Sequence, residues 1–552
     1  MAKKPAEIQI PIKPIYSLLD EAVAKRGQKP ALDFLGRRWS YQQLGELVDK
    51  AAAGFRALGV KRDVRVGLHL PNTPYYIICY FAILKAGGTV VNYNPLYVER
   101  ELAQQIKDSD TSIMVTMDLD ALYSKLSPLL GKGSLQKLIV CKMTEILSPT
   151  KSLLFKVFKR KDLAKMAQDA RIIGFEKLLT LGTVQSPAKI DPKTEIAVLQ
   201  YTGGTTGVPK GAVLTHGSIS ANVEQLRRLL NEHEVGDERM MCALPFFHVF
   251  GMTVAMLLGV SFGAELILLP RFEVEQVLKT MKRKRPTMFP GVPTIYIALN
   301  RAIKSRGGNV KFDSIRYCIS GGAPLPREVQ QEFMRLTGCK LVEGYGLSET
   351  SPVATCNPFD GENREGSIGL PLAGTVIEFR SLEDPRKKVK QGERGEVCVR
   401  GPQVMAGYWQ RPDATKEVMV DGALRTGDVG YADPDGYIHI VDRVKDMIIC
   451  SGYKVYPRVI EDALYAHPAV AEAVVVGLPD AYRGQSPKAY VKIKDGEKLT
   501  VEMLKTYLAA RLSKIEMPSE IEFRTELPRT LIGKFSKKAL LEEELAKAGR
   551  RI

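Results

Sequence analysis

From Val64 to Met117 the chain alternates strand-like apolar runs with helical patterns: "VRVGLHL", "YYIICYFAILKAG", "TVVNYN", "ERELAQQIKDSD" and "SIMVTM". Parallel strands need a long crossover between them, usually a helix, so this alternation restricts the fold to βαβ units around a mostly parallel sheet. The same rhythm returns at "AELILLP", "PTMFPGV" and "SIRYCISGG". Beyond Pro371 it gives way to short strands with turn signals, "TVIEFRSLEDPRKKVKQGERGEVCVRGP", which suits a small antiparallel sheet or barrel. A last compact segment begins near Asp442 and contains "VEMLKTYLAARLSK". The expected class is α/β: a large N-terminal domain, residues 1–441, of βαβ sheets plus a small antiparallel barrel, followed by a small α+β domain, residues 442–552.

With 552 residues, 45% of them hydrophobic, the chain can bury sizeable cores. Its eight cysteines include no CxxC pair, which argues against a disulfide framework and a structural zinc site and points to a reducing, cytoplasmic compartment. The N-terminus has no apolar core of signal-peptide length, so secretion is not expected. The most apolar stretch, "VFGMTVAMLLGVSFGAELILL" from Val249, is interrupted by Gly259, Ser261, Gly263 and Glu265. It reads as a buried helix, a Gly turn and a core strand rather than a membrane span.

The net charge of +17 concentrates partly in "KSLLFKVFKRKDLAK", residues 151–165, with six Lys/Arg against one Asp. No nucleic-acid module accompanies this basicity, so no nucleic-acid partner is expected. Leu153, Leu154, Phe155, Val157 and Phe158 interleave with the lysines, which suits an anionic membrane surface as well as a solvated connector. On one continuous helix, Lys161 and Lys165 share the face of Leu154 and Phe158.

The stretch "LQYTGGTTGVPKGAVLTH", residues 199–216, carries four Thr, four Gly and one Lys. Val198, Leu199 and Gln200 read as a strand end, a helix opens at Ser218, and the residues between read as a loop. Glycines for close approach, hydroxyls for hydrogen bonding and the ammonium of Lys210 have the chemistry of a phosphate cradle. Walker A spacing is absent, because Lys210 follows Pro209 and precedes Gly211. "GYGLSE" and "GLSET" each fail the dinucleotide and nucleophile-elbow fingerprints at the last glycine.

This cradle, with "LPFFHVFG" (244–251), "ISGGAPLP" (319–326), "EGYGLSET" (343–350), "DGALRTGDVGYADPDGYIHIVDRVKDMIICSGYKVYP" (421–457) and "PRTLIGK" (528–534), resembles the adenylate-forming enzymes, and among them bacterial long-chain fatty-acid CoA ligases. The resemblance implies ATP, Mg2+ and coenzyme A as cofactor and co-substrates, a fatty acid as substrate, and a mobile C-terminal domain. It assigns Thr202, Gly203, Gly204, Thr205, Thr206, Gly207 and Lys210 to the ATP phosphates, and Glu349 with Thr202 to magnesium. Gly322, Ala323 and Pro324 would run along the adenine, with Tyr345 stacked on it between Gly344 and Gly346, and Thr350 nearby. Asp428 would accept from the ribose hydroxyls and Arg443 would reach ribose or phosphate. Lys445 would be the hinge, Lys534 the adenylation lysine, and Gly452 and Tyr453 part of the CoA route. His248, Phe250 and Gly321 would border the acyl group.

No carboxylate lies near "PFFHVFG" to pair with an amino-acid ammonium, so a simple acid is the expected substrate. No carrier-protein "GGxS" motif follows, so free CoA is the expected acceptor. A medium-chain or aryl acid, transfer of acyl-AMP to a protein, and a non-catalytic membrane-surface binder are the competing readings; the last fits poorly with Glu349, Lys210 and Lys534 all in place. A homodimer is one assembly the sequence allows. After Lys534 the chain departs from the usual family pattern, with Ser536 at a customarily apolar position, then Lys537 and Lys538.

Overall fold

The helix Pro74–Ala86 carries almost no polar face, and all thirteen of its residues are buried, as a helix apolar all round requires. It packs on the strands Arg65–Leu68 and Thr89–Asn92. Its Tyr76 hydroxyl lies 2.6 Å from Asn92 Oδ1 and 2.8 Å from the Phe246 carbonyl oxygen. Asn72 donates to the Cys242 and Leu244 carbonyls (3.1 and 2.7 Å) and accepts from the Phe246 amide at 2.8 Å. These bonds join two sheets. The computed structural model describes residues 9–202, 209–230, 237–308, 310–451, 453–529 and 535–547.

The first sheet has eight strands, parallel from Ile196–Thr202 through Thr89–Asn92, Arg65–Leu68, Ile113–Met117 and Lys137–Cys141 to Ile172–Gly174. The second has nine, with a parallel run from Pro30–Phe34 through Glu265–Leu268, Arg239–Cys242, Met288–Gly291 and Tyr317–Ser320 to Leu341–Gly346. The βαβ expectation therefore holds. The apolar stretch from Val249 also resolves as expected into a buried helix, a turn at Gly263 (φ 67°) and the strand Glu265–Leu268, with a π-helical segment over Gly251–Leu257.

Two local readings are corrected. The residues between Gln200 and Ser218 are not one loop: Lys210–Thr215 is a strand antiparallel to Ile196–Thr202, with Thr202 opposite Lys210. Gly211 and the Thr-rich flanks mask its pattern, and the pairing that creates it is invisible to local periodicity. The next helix, His216–Leu229, starts where Thr215 Oγ1 accepts from the Ser218 amide at 3.0 Å. The basic helix Pro149–Phe158 stops before Lys161, followed by a short turn at Arg160–Asp162 and a bridge between Leu119 and Leu163. Lys161 and Lys165 therefore do not continue the face of Leu154 and Phe158.

Beyond Pro371 five strands form an antiparallel sheet, curled by bulges at Glu396/Cys398 and Val429/Gly430. Its strand Ile438–Arg443 contains Asp442 and pairs with Ala423–Ala432. A separate sheet starts at Ile448–Cys450, and Ile460, Val475, Leu504 and their neighbours close a core of their own. All eight cysteines are buried and unpaired. Among the described residues no helix is long and apolar enough to cross a membrane.

Candidate active site

The antiparallel hairpin brings the two ends of the Gly/Thr cradle side by side, with Thr202 Oγ1 3.4 Å from the Lys210 carbonyl oxygen. Gly203, Gly204, Thr205, Thr206 and Gly207 lie outside the described residues. The short strand Gly407–Tyr408 adds to the hairpin edge and sets the Tyr408 ring 5.2 Å from the Lys210 ammonium, within cation–π range. The Tyr408 hydroxyl donates to Glu349 Oε1 at 2.8 Å. Burial and the Glu349 charge raise the Tyr408 pKa, so the hydroxyl stays protonated as the donor. Glu349 sits half-buried in the turn Ser348–Thr350, whose backbone is fixed by the Met405 amide on the Glu349 carbonyl at 2.8 Å. Thr350 is buried in that turn, its hydroxyl accepting from the Leu347 amide at 2.9 Å.

A second tyrosine–carboxylate–cation group stands on the other side. Asp428 and Arg443 are direct cross-strand partners, with Arg443 Nε 3.1 Å from Asp428 Oδ1. The Tyr345 hydroxyl donates to Asp428 Oδ2 at 2.5 Å. Burial and this carboxylate raise the Tyr345 pKa, which keeps the phenol a donor. Gly346 must lack a side chain, because a Cβ there would occupy the Pro352 carbonyl oxygen.

The segment Gly321, Gly322, Ala323 and Pro324 leaves the strand Tyr317–Ser320, with Gly322 at φ 79°. It is pinned by Glu343, whose Oε1 accepts from the Leu325 amide at 3.1 Å. Glu343 is buried, and desolvation pushes its pKa up to about 7, with the Arg458 guanidinium pulling the other way. A Cβ on Gly321 would meet the Gly344 oxygen at 3.1 Å and the Phe250 ring at 3.3 Å, so these three residues close around one point. His248 Nδ1 accepts from the Phe250 amide at 3.3 Å, and Gln200, near the cradle, donates to the Phe247 carbonyl at 3.0 Å. Ile319, two positions before Gly321, lines a small cavity of about 20 Å3 together with Leu226, Met240, Val254, Leu258 and Phe359 among other apolar side chains. No charged residue lines it.

The region around Lys445 is more structured than its sequence suggests. The buried Asp442 carboxylate accepts from the Arg443 amide and from the Arg458 amide, each at 2.7 Å. Arg458 lies in the first turn of Pro457–Tyr465, so a carboxylate from one sheet caps a helix beyond Lys445. Burial pushes the Asp442 pKa up to about 6, against the pull of Lys537. Lys537 pairs with Glu461 at 3.1 Å; burial lowers its pKa, but Glu461, Asp442 and Asp446 outweigh that and raise it. Lys445 is exposed, and Tyr453 is 62% exposed in the strand Tyr453–Val455. Gly452 and Lys534 lie outside the described residues.

The structure thus brings together Thr202, Lys210 and, through Tyr408, Glu349 in one group, Tyr345, Asp428 and Arg443 in a second, and Gly321, Gly344 and Phe250 in a third. Sequence reasoning missed Tyr408, Glu343, Asp442 and Lys537. Only Lys537 gave a signal, as a departure from the usual pattern after Lys534.

This chain belongs to the AMP-binding enzyme family, whose model matches residues 19–409; the AMP-binding enzyme C-terminal domain matches 459–534. The long-chain-fatty-acid–CoA ligase of Bacillus subtilis (strain 168) is 40% identical over 98% of this chain and 96% of its own length. That of Escherichia coli O157:H7 is 38% identical over 98% of both. Among solved structures, ATP-bound MatB from Rhodopseudomonas palustris superposes with a TM-score of 0.80 at 27% identity, covering 97% of this chain and 99% of that one.

Proposed function

We propose that the protein ligates a long-chain fatty acid to coenzyme A, with an acyl adenylate as intermediate and AMP and pyrophosphate as products. The observation that carries this is the pair of tyrosine–carboxylate–cation groups, Lys210–Tyr408–Glu349 and Arg443–Asp428–Tyr345, with the apolar side chains of Phe250 and Ile319 closing on Gly321 and Gly344. The named activity of the two curated relatives supports the same reading. In the first half-reaction a carboxylate oxygen attacks the α-phosphorus of ATP and pyrophosphate leaves. In the second the CoA thiolate attacks the acyl carbon and AMP leaves.

Lys210 and Thr202, with Thr205, Thr206 and the cradle glycines, hold the phosphates. Among the described residues no cluster of three or more acidic, His or Cys side chains could hold a metal unaided. One carboxylate, Glu349, beside the Thr202 hydroxyl instead fits Mg2+ held jointly with the substrate's phosphates. Bound there, the ion supplies neutralisation of phosphate charge. Asp428 retains lone pairs for the ribose diol, Arg443 holds that carboxylate in place, and the Tyr345 ring stacks on adenine along Gly322, Ala323 and Pro324. Lys534 bridges carboxylate and phosphate during adenylation. Residues beyond Lys445 then turn as a body, so that Gly452 and Tyr453 border the incoming thiol; the strand ending at Arg443 favours a turning point after it rather than at residue 442.

The protein would work in the cytoplasm against an anionic membrane surface through residues 151–165, alone or as a homodimer. The test is pyrophosphate release across saturated acids of increasing length and aryl acids, with and without CoA. A long-chain optimum and CoA-dependent thioester formation support the proposal; an aryl optimum, or acyl-AMP that stays unconverted with CoA, overturns it. Lys534→Ala should abolish pyrophosphate release yet still convert supplied acyl-AMP.

A further inference from the structure

The helix Pro149–Phe158 turns its apolar side chains away from the molecule. None of its residues is buried, and Leu153, Leu154, Val157 and Phe158 are 65%, 54%, 64% and 77% exposed. At 3.6 residues per turn these four span one arc of about 140°. Phe155 lies outside that arc and packs against the main core. Lys156 borders one edge of the arc and Lys151, bonded to the Leu35 carbonyl, the other. An apolar stripe flanked by ammonium groups is shaped for a surface that is oily inside and anionic outside.

Past the helix the chain is held to the fold by the Leu119–Leu163 bridge and by the Ala164 amide on the Asp118 carbonyl at 2.8 Å. This anchoring turns Lys161 and Lys165 into an open cavity with Tyr123, Ser124, Ser127 and Asp120. Two ammonium groups and three hydroxyls there outnumber the one carboxylate, so the cavity suits a phosphate monoanion.

We propose that this helix and cavity form a docking site for an anionic phospholipid bilayer. Leu153, Leu154, Val157 and Phe158 enter the acyl boundary, Lys156, Lys159 and Arg160 meet head groups, and Lys161 and Lys165 take one lipid phosphate. The inference rests on the long-chain reading above for its purpose, since such acids partition into membranes and an enzyme seated there meets its substrate. Nucleic acid would leave the four apolar side chains without a partner.

The test is co-sedimentation of the full chain, without substrate, with phosphatidylglycerol/phosphatidylcholine vesicles and with phosphatidylcholine alone. Binding should be at least about 10-fold tighter to the anionic vesicles and should weaken between about 0.1 M and 1 M salt, as the screening length falls from about 10 Å to about 3 Å. Changing Leu153, Leu154, Val157 and Phe158 together to Ser should lower binding at least about 10-fold at both salt concentrations. Lys161→Gln with Lys165→Gln should lower it on anionic vesicles only. Both variants should keep the wild-type melting temperature and pyrophosphate release from detergent-solubilised acid. Vesicle binding that is absent, or unchanged in the four-Ser variant, overturns the proposal, as does self-association without vesicles that the four-Ser variant abolishes, because the face then belongs to a second copy. Because binding is read without turnover, its failure is distinguishable from failure of the ligase reading.

Discussion

The two sides of the site use the same three kinds of group in different order. In the group around Asp428 the cation pairs directly with the carboxylate, Arg443 on Asp428, and the tyrosine completes the shell. In the group around Glu349 the tyrosine stands between, with Lys210 over the ring of Tyr408 and the hydroxyl on Glu349. Asp428 is buried and charge-compensated, which fits an acceptor for a neutral diol. Glu349 is half-buried and, among the described residues, has no cation at ion-pair distance, which suits the metal role proposed for it. Placement of the cation therefore distinguishes the two carboxylates.

Breaking the uncompensated member should cost most. Glu349→Gln should lower pyrophosphate release about a thousandfold, on the order of 4 kcal/mol, with the melting temperature unchanged. A loss below tenfold would show that the carboxylate carries no metal role.

Glu343 sharpens the contrast as a third carboxylate, buried with an amide rather than a cation on it. Its pKa is raised from 4.5 to about 7, so between those values the folded state holds the extra proton. Stability from this group is full below about pH 4.5 and is lost as pH rises through 7, by about 3 kcal/mol. Glu343→Gln keeps an acceptor for the Leu325 amide but cannot titrate. Relative to wild type its melting temperature should rise from pH 5 to pH 8; parallel profiles would refute the assignment.

Asp428→Asn removes charge from the compensated group and should lower kcat/KM for ATP roughly 10- to 100-fold, mainly through KM. A kcat-led loss would make Asp428 resemble Glu349 and erase the distinction. The smallest effect belongs to Tyr408→Phe, about fivefold on pyrophosphate release, since one neutral donor to a carboxylate is worth about 1 kcal/mol. It should also raise the magnesium concentration needed for half-maximal rate, which Tyr345→Phe should not.

Much of this was legible in the chain. The βαβ alternation reports burial on both faces of a strand, a local property, and so it announced both sheets. Lys210 sits in a stretch whose residue types suit a phosphate cradle, whereas Glu349 and Asp428 were singled out by the family resemblance, since "RTGD" alone reads as an ordinary turn. Tyr408 was not legible because its partner is 59 positions away and "GYWQ" says nothing about who will face it. Glu343 was quoted with its motif yet its task comes from Leu325, on a neighbouring strand's loop. The strand Lys210–Thr215 went unseen for a similar reason, since its identity rests on pairing rather than pattern. Lys161 and Lys165 were put on a helical face because periodicity cannot see where a helix stops when no Gly or Pro marks the end.

The helix Pro74–Ala86 with Asn72 makes the body of the protein a stator. Cradle and adenine segment belong to different sheets, and a nucleotide spanning both would be mispositioned by any slip between them. Tyr76 and Asn72 rivet one sheet to the loop that leaves the other, deep in the interior where neither rivet can be reached by water. On the proposed reading, the part that travels during turnover is the lighter one beyond Lys445, and this frame is what its stopping points are measured against.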